Sequence, residues 1–149
     1  MILGDYLDKK LIFPNLVSST KSEVLKELVA PLGEAYSELD ANEAVRVLLE
    51  REGLGSTGIG DGIAIPHGKL DDLDRILVLV GRSSEGVEFD ALDHKPCHIF
   101  FLVLAPAQVA GMHLRILAHI SRLLRDSSFR QEFMDAVDAD TLWNLLKNA

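Results

Sequence analysis

One of the five histidines, His67, lies where an imidazole could react. It stands in Gly62-Ile-Ala-Ile-Pro66-His67-Gly68, at the predicted exit of a short strand. Pro66 fixes its own φ, and Gly68 allows a positive φ or the close approach of a bulky group. An imidazole with its lone pair facing outward is a nucleophile at neutral pH. The residues alone leave two interpretations open: a nucleophile at a strand exit, where ligands bind in α/β sheets, or a surface histidine in a turn.

A run of closely spaced glycines, Gly53–Gly62, precedes this histidine. It does not match the nucleotide-binding motifs, because Ile63 stands where a Walker loop has its first glycine and Leu70 where it has Ser or Thr. The glycines either offer free backbone N–H groups to an anion near His67 or serve only as turn residues.

Two further residues could act beside His67. Taking about 100° per residue, His113 falls within about 35° of the centre of the apolar stripe of a predicted helix, so it faces the protein body. It is either a core histidine bonded to a carbonyl or a second imidazole of the site. Arg51 ends a predicted helix just before the glycine run. Its guanidinium either binds phosphate oxygens or only complements the helix dipole.

The sequence predicts neither a metal site nor a cofactor. His94 and His98 have a metal-ligand spacing only if they share a helix, and Pro96 between them argues against one. Cys97 is the single cysteine, which we interpret as a small core residue. There is no HExxH motif.

The elements that must position these residues follow from caps and periodicity. Thr20 with Glu23 and Asp40 with Glu43 have N-cap spacing, and they predict helices ending near Pro31 and at Gly53. The remaining predicted elements are strands at Ile63–Pro66, Arg75–Val80, Gly86–Phe89 and Ile99–Leu104 and helices at Val109–Arg125, Phe129–Val137 and Thr141–Lys147. We therefore predict an α/β fold with a mixed β-sheet flanked by α-helices.

Length and charge exclude several classes of protein. The 149 residues predict one domain, residues 1–149, and the net charge of −8 argues against a general nucleic-acid binder and favours a basic partner. Asp5 and Asp8 interrupt any signal peptide, and the apolar run Ile99–Ala105 is far shorter than the ~20 residues of a spanning helix. We expect no membrane insertion and a cytoplasmic location.

The segment Leu54–Lys69, with its Ala-Ile-Pro-His-Gly core, resembles the signature of the fructose/mannitol-type IIA proteins of the bacterial phosphotransferase system, in particular the nitrogen-regulatory branch. The stretches Gly86–Asp93, Ile99–Pro106 and Gly111–Leu114 agree with it. The resemblance implies a mixed sheet flanked by helices and a phosphoryl group on Nε2 of His67, received from a small histidine phosphocarrier protein. Arg51 and His113 match the positions around that histidine, and Ser56 and Thr57, together with Gly68, are expected to stabilise the phosphate. One departure is Asp61, where asparagine is more frequent. Its charge weakens anion binding unless it faces solvent.

The functional prediction is a phosphohistidine relay with a regulatory output toward a transporter or kinase. The alternative within the same chemistry is a sugar-permease IIA that passes phosphate to a IIB domain. From other classes come a binding module that never carries phosphate and a metal-dependent hydrolase.

Overall fold

The centre of the protein is a mixed sheet, as the sequence predicts, and it has six strands. The computed structural model describes all residues, Met1–Ala149. The strands are β1 (Leu7–Phe13), β2 (Gly58–Gly60), β3 (Ile63–Ala64), β4 (His67–Lys69), β5 (Leu77–Val87) and β6 (Cys97–Ala105). Their order is β1-β5-β6-β3-β2, with β4 also paired to β6. The β5–β6 and β2–β3 pairs are antiparallel, whereas β1 runs parallel to β5, and β3 and β4 run parallel to β6.

Six α-helices cover the two faces of the sheet: α1 (Lys21–Val29), α2 (Leu32–Ala35), α3 (Ala41–Glu52), α4 (Ala110–Arg125), α5 (Ser127–Asp135) and α6 (Ala139–Leu146). The predicted caps of α1 and α3 are confirmed, because the side chains of Thr20 and Asp40 accept backbone N–H groups of the first turns. Short 3-10 turns precede β1 and α4, at Leu3–Tyr6 and Ala107–Val109. None of these helices has the length and apolar character required to cross a bilayer.

The alternation of side chains along the strands divides the core into two layers. From β6, Leu102 and Leu104 join the helices α1 to α3 on one face. Phe101 and Val103, one residue out of phase, join α4 to α6 on the other. Alternate residues along a strand therefore pack against different sets of helices.

Two parts of the sheet differ from the prediction. The strands predicted at Arg75–Val80 and Gly86–Phe89 are largely one strand, β5, which continues through the buried polar pair Arg82 and Ser83. Arg82 is accommodated because its guanidinium donates to the carbonyls of Pro14 and Phe133. Strand β1 was not predicted. Two consecutive lysines interrupt its apolar pattern, and it lies at the edge of the sheet.

The segment that carries His67 is a strand interrupted by a proline. Ile63 and Ala64 pair with Ile99 and Phe100, and His67 then pairs with Val103 in the same register. Between them Pro66 has no N–H to donate to the ladder, although its carbonyl still accepts the N–H of Val103. The prediction that the strand ends at Pro66 is thus wrong, because pairing resumes at His67.

Candidate functional site

The imidazole of His67 is held in one tautomer by its own strand. Its Nδ1 lies 2.9 Å from the carbonyl oxygen of Ile65. A carbonyl oxygen only accepts, so Nδ1 carries the proton and Nε2 keeps its lone pair. The ring is half-buried, and Nε2 has no hydrogen-bond partner in the protein. The geometry leaves Nε2 as the ring nitrogen whose lone pair is available whenever the imidazole is neutral.

A second imidazole, that of His113, packs against it. The two ring centroids are 5.6 Å apart, and the rings meet edge to face with an interplanar angle of 78°. His113 lies in the first turns of α4 and is 6% exposed, as its place on the apolar face predicts. Its Nε2 is buried without any hydrogen-bond partner, which rules out a carbonyl-bonded core histidine at that nitrogen.

Burial sets the charge of His113. It lowers the pKa of the His113 imidazole, and the positive charges of His67, when that ring is protonated, and of Lys69 lower that pKa further. The ring is therefore neutral at pH 7 in the unliganded protein. A buried nitrogen without a partner costs free energy, and an anionic oxygen beside His67 would remove that cost by accepting a hydrogen bond.

Gly68 has a packing function on the opposite face of the sheet. A Cβ at this position would lie 2.7 Å from Cγ1 of Val47 on α3. The absence of a side chain thus lets the helix contact the sheet directly. This contact explains the glycine without any phosphate, so its predicted phosphate-stabilising role stays a prediction.

Most backbone N–H groups at the start of the glycine run are not free to bind an anion. Five of its backbone N–H groups already donate within the protein: those of Gly53, Leu54, Gly55, Thr57 and Gly58. The guanidinium of Arg51 bends toward this loop, and its Nη1 donates to the carbonyl of Gly55 at 3.0 Å. For this segment the structure favours turn formation, with a cationic side chain fixed at its margin.

Neither hydroxyl of the predicted pair Ser56 and Thr57 is free to donate to a phosphate in this structure. The Ser56 hydroxyl donates to the carbonyl of Phe89 and accepts the N–H of Gly58. The Thr57 hydroxyl is buried and donates to the Glu52 carboxylate. Both residues hold the loop in place.

Sequence reasoning missed the residue that organises this loop, Glu52. It is buried at the end of α3, where its carboxylate accepts from the N–H of Thr57 at 3.1 Å and from Nζ of Lys21 at 3.0 Å. A glutamate in the last turn of a helix usually opposes the helix dipole. The unfavourable placement of Glu52 at this helix end, five residues before Thr57, is the feature of the sequence that could have indicated its role in the loop.

The departure from the family pattern, Asp61, lies away from His67. It occupies the tip of the β2–β3 turn with a φ of +56°, a conformation that asparagine and aspartate tolerate. Its side chain is exposed to solvent, and the turn precedes Ile63, from which four residues of extended chain, about 13 Å, lead to His67.

The remaining histidines do not form a cluster with His67. His98 lies in β6, where its Nδ1 donates to the carbonyl of Ser83, whereas His94 lies in an exposed turn. No group of three or more His, Cys, Asp or Glu side chains is placed to hold a metal ion.

Comparison with known proteins identifies relatives over nearly the whole chain. Residues 5–149 match the family model described as phosphoenolpyruvate-dependent sugar phosphotransferase system, EIIA 2. A nitrogen regulatory protein of Bradyrhizobium diazoefficiens is 36% identical over 146 residues, which cover 98% of this chain and 95% of that protein. The fructose-specific EIIA component of a phosphotransferase system in Haloferax volcanii is 41% identical over 107 residues, 72% of this chain and 70% of that protein.

The crystal structure of the nitrogen regulatory protein IIA-Ntr from Neisseria meningitidis superposes with a TM-score of 0.88 at 30% identity. The superposition covers 96% of this chain and 97% of that one. The predicted fold and family resemblance are thereby confirmed.

Proposed function

Because the chain belongs to the EIIA 2 family of the phosphoenolpyruvate-dependent sugar phosphotransferase system, we propose that it carries a phosphoryl group on Nε2 of His67. Proteins of this family are phosphotransferases. The donor in this proposal is a small histidine phosphocarrier protein, and the output is regulatory, in line with the nitrogen regulatory relatives.

The observation that carries the proposal is that His67 and His113 pack ring against ring and that each has an unpartnered Nε2. Nε2 of His67 presents a lone pair, because the Ile65 carbonyl holds the proton on Nδ1. Nε2 of His113, buried on the adjacent ring, has no acceptor of its own. In this proposal, an oxygen of a phosphoryl group on His67 accepts a hydrogen bond from the second nitrogen.

The transfer itself needs no co-reactant. The Nε2 lone pair of His67 attacks phosphorus while the P–N bond of the donor phosphohistidine breaks, and its electron pair returns to the donor imidazole. Such a transfer depends on positioning and on the stabilisation of equatorial oxygen charge. We propose that His113 and the guanidinium of Arg51 stabilise this oxygen charge. Arg51 uses only Nη1 to bind the Gly55 carbonyl, so its other N–H groups can bind phosphoryl oxygens.

Two exposed leucines beside these groups support a docking surface for the partner. Leu54 follows the Arg51 turn and is 84% exposed, and Leu114 follows His113 and is 68% exposed. The net charge of −8 favours a partner with a basic rim around an apolar centre. A phosphoryl group adds about −1.5 to −2 charges at this surface, and that change can favour or forbid the docking of a transporter or kinase.

The experiment is phosphate uptake from a matched phosphocarrier, followed by mass shift. We expect the wild-type protein to gain one acid-labile, alkali-stable phosphate and His67→Ala to gain none while its circular dichroism is unchanged. His94→Asn, at an exposed histidine, is the matched control and should be labelled normally. Full labelling of His67→Ala would refute the assignment. Arg51→Ala should slow the transfer without removing the acceptor.

The fructose-specific relative favours a second candidate, a sugar-permease IIA component that passes phosphate to a IIB domain. Incubating the phosphorylated protein with fructose- and mannitol-type IIB domains separates the two. Transfer to a IIB domain favours the sugar route, and retention of phosphate on His67 favours regulation. A protein that takes no phosphate from any carrier would be a binding module that keeps only the fold.

A further inference from the structure

A buried carboxylate near the site, that of Glu52, makes several hydrogen bonds but has no part in the proposed transfer. Glu52 lies at the end of α3 with its side chain 3% exposed. It accepts two hydrogen bonds from Thr57, one from the backbone N–H and one from the hydroxyl. Lys21, at the start of α1, supplies the opposite charge at 3.0 Å. A buried carboxylate with this many partners is fixed in position.

From this carboxylate a chain of hydrogen bonds leads to the acceptor imidazole. The carbonyl of Thr57 accepts the N–H of Ile65 at 3.0 Å. The carbonyl of Ile65 in turn accepts Nδ1–H of His67 at 2.9 Å. Ile65 lies where the ladder with β6 is interrupted, and its own N–H is bonded on the other side, to Thr57.

A second path leads from the same residue to the guanidinium. The backbone carbonyl of Glu52 accepts the N–H of Gly55 at 3.1 Å, and the carbonyl of Gly55 accepts Nη1–H of Arg51 at 3.0 Å. Glu52 thus fixes the loop from two sides, one toward His67 and one toward Arg51.

We propose that Glu52, neutralised by Lys21, is the positioning residue of this site: through Thr57 and Ile65 it holds His67 in the tautomer that leaves Nε2 free. This inference rests on the proposed function, in which Nε2 of His67 is the acceptor. Without the carboxylate, the Ile65 carbonyl loses its alignment and the imidazole is free to carry its proton on Nε2, where it cannot attack phosphorus.

The test compares Glu52→Gln with the wild-type protein in two measurements. Glutamine offers one acceptor oxygen where Thr57 donates twice, so one donor faces an amide N–H. Long-range ¹H–¹⁵N spectra at about pH 8, above the ordinary pKa of a free imidazole, report which nitrogen of His67 carries the proton. We expect only Nδ1–H in the wild type and a mixture in Glu52→Gln. Phosphate uptake should fall about tenfold, the rate equivalent of one net hydrogen bond.

Glu50→Gln removes the same charge from the exposed side of the same helix and should change neither measurement. Urea denaturation identifies a variant that has simply lost its fold. Thr57→Val then tests the path with only the hydroxyl removed, and Thr57→Ser should restore wild-type behaviour.

An unchanged His67 tautomer in both Glu52→Gln and Thr57→Val would overturn the inference, whatever the uptake rate. The spectra need no phosphate, so they decide on Glu52 even if His67 takes up none. Failure of uptake in the wild type would instead count against the proposed function.

Discussion

Replacing Gly68 by alanine places a methyl group against α3, and we expect a net loss of about 1–2 kcal/mol of folding free energy. The new Cβ would lie 2.7 Å from Cγ1 of Val47, a β-branched side chain with little rotamer freedom. Overpacking of this kind costs about 1–3 kcal/mol. Alanine also restricts the unfolded chain, which returns about 0.4–1 kcal/mol.

The structure also specifies the compensating change. In a Val47→Ala background the clashing methyl is gone, and the nearest remaining helix side-chain atom that is not on residue 47 is Cδ2 of Leu48, at an ordinary 3.7 Å. There Gly68→Ala should be neutral or stabilising by up to about 1 kcal/mol. The coupling energy between the two positions is therefore about 1–3 kcal/mol.

Urea denaturation of the wild type, Gly68→Ala, Val47→Ala and the double variant measures the coupling energy. Gly33→Ala is the control, because Gly33 lies in the short helix α2 with nothing within 4 Å of an added Cβ, and it should gain about 0.5–1 kcal/mol. An equal cost of Gly68→Ala in both backgrounds would refute the packing explanation. Phosphate uptake by the double variant completes the test. If stability returns but uptake does not, Gly68 acts on the phosphate instead.

Three further predictions concern charge. The lowered pKa of His113 means that the unfolded chain binds a proton more readily than the folded one, so the free energy of unfolding should fall as pH drops below about 6.5; His113→Gln should flatten that decline in urea titrations at several pH values. Arg82→Met should lower the free energy of unfolding by about 2–4 kcal/mol in the same assay, because buried carbonyls such as that of Phe133 lose their hydrogen-bond donor. Arg82→Lys should restore part of this free energy. Asp61→Asn should leave the rate of phosphate uptake unchanged, because Asp61 is exposed in the turn before Ile63, and the extended chain from Ile63 to His67, about 13 Å, already exceeds the screening length of about 8 Å at physiological salt.

The helices of this fold could be predicted because their signals are local. Thr20 and Asp40 cap helices that begin one residue later, and the apolar stripe of α4 buries Ile116 and Ile120 as its period requires. The strands were harder. The polar stretch after Val80 looked like a break, yet Arg82 is buried because its guanidinium meets carbonyls some 50 residues further along the chain. A local sequence pattern cannot predict a hydrogen-bond partner that is so distant along the chain.

The same distinction applies to the site. His67 and His113 stood out because each had an unusual immediate setting, a proline–glycine bracket in one case and an apolar helical face in the other. The sequence could associate Ser56 and Thr57 with the site but could not predict their roles. Their hydroxyls donate to Phe89 and Glu52, and no sequence motif specifies these contacts. The resemblance of the motif supplied the position of these residues, whereas only the folded structure shows what each hydroxyl does.

The distribution of hydrogen bonds decides how an anion at His67 would be stabilised. In a phosphate-binding nest the backbone amides face the ligand, but here the amides from Gly53 to Gly55 and those of Thr57 and Gly58 already donate to the protein. One unsatisfied group on the ring that packs against His67 is the buried Nε2 of His113. An amide nest has a fixed charge distribution, whereas an imidazole with a lowered pKa can take up a proton when a phosphoryl group arrives and lose it when the group departs. We therefore attribute the stabilisation of the proposed phosphohistidine to side chains whose charge responds to the phosphoryl group.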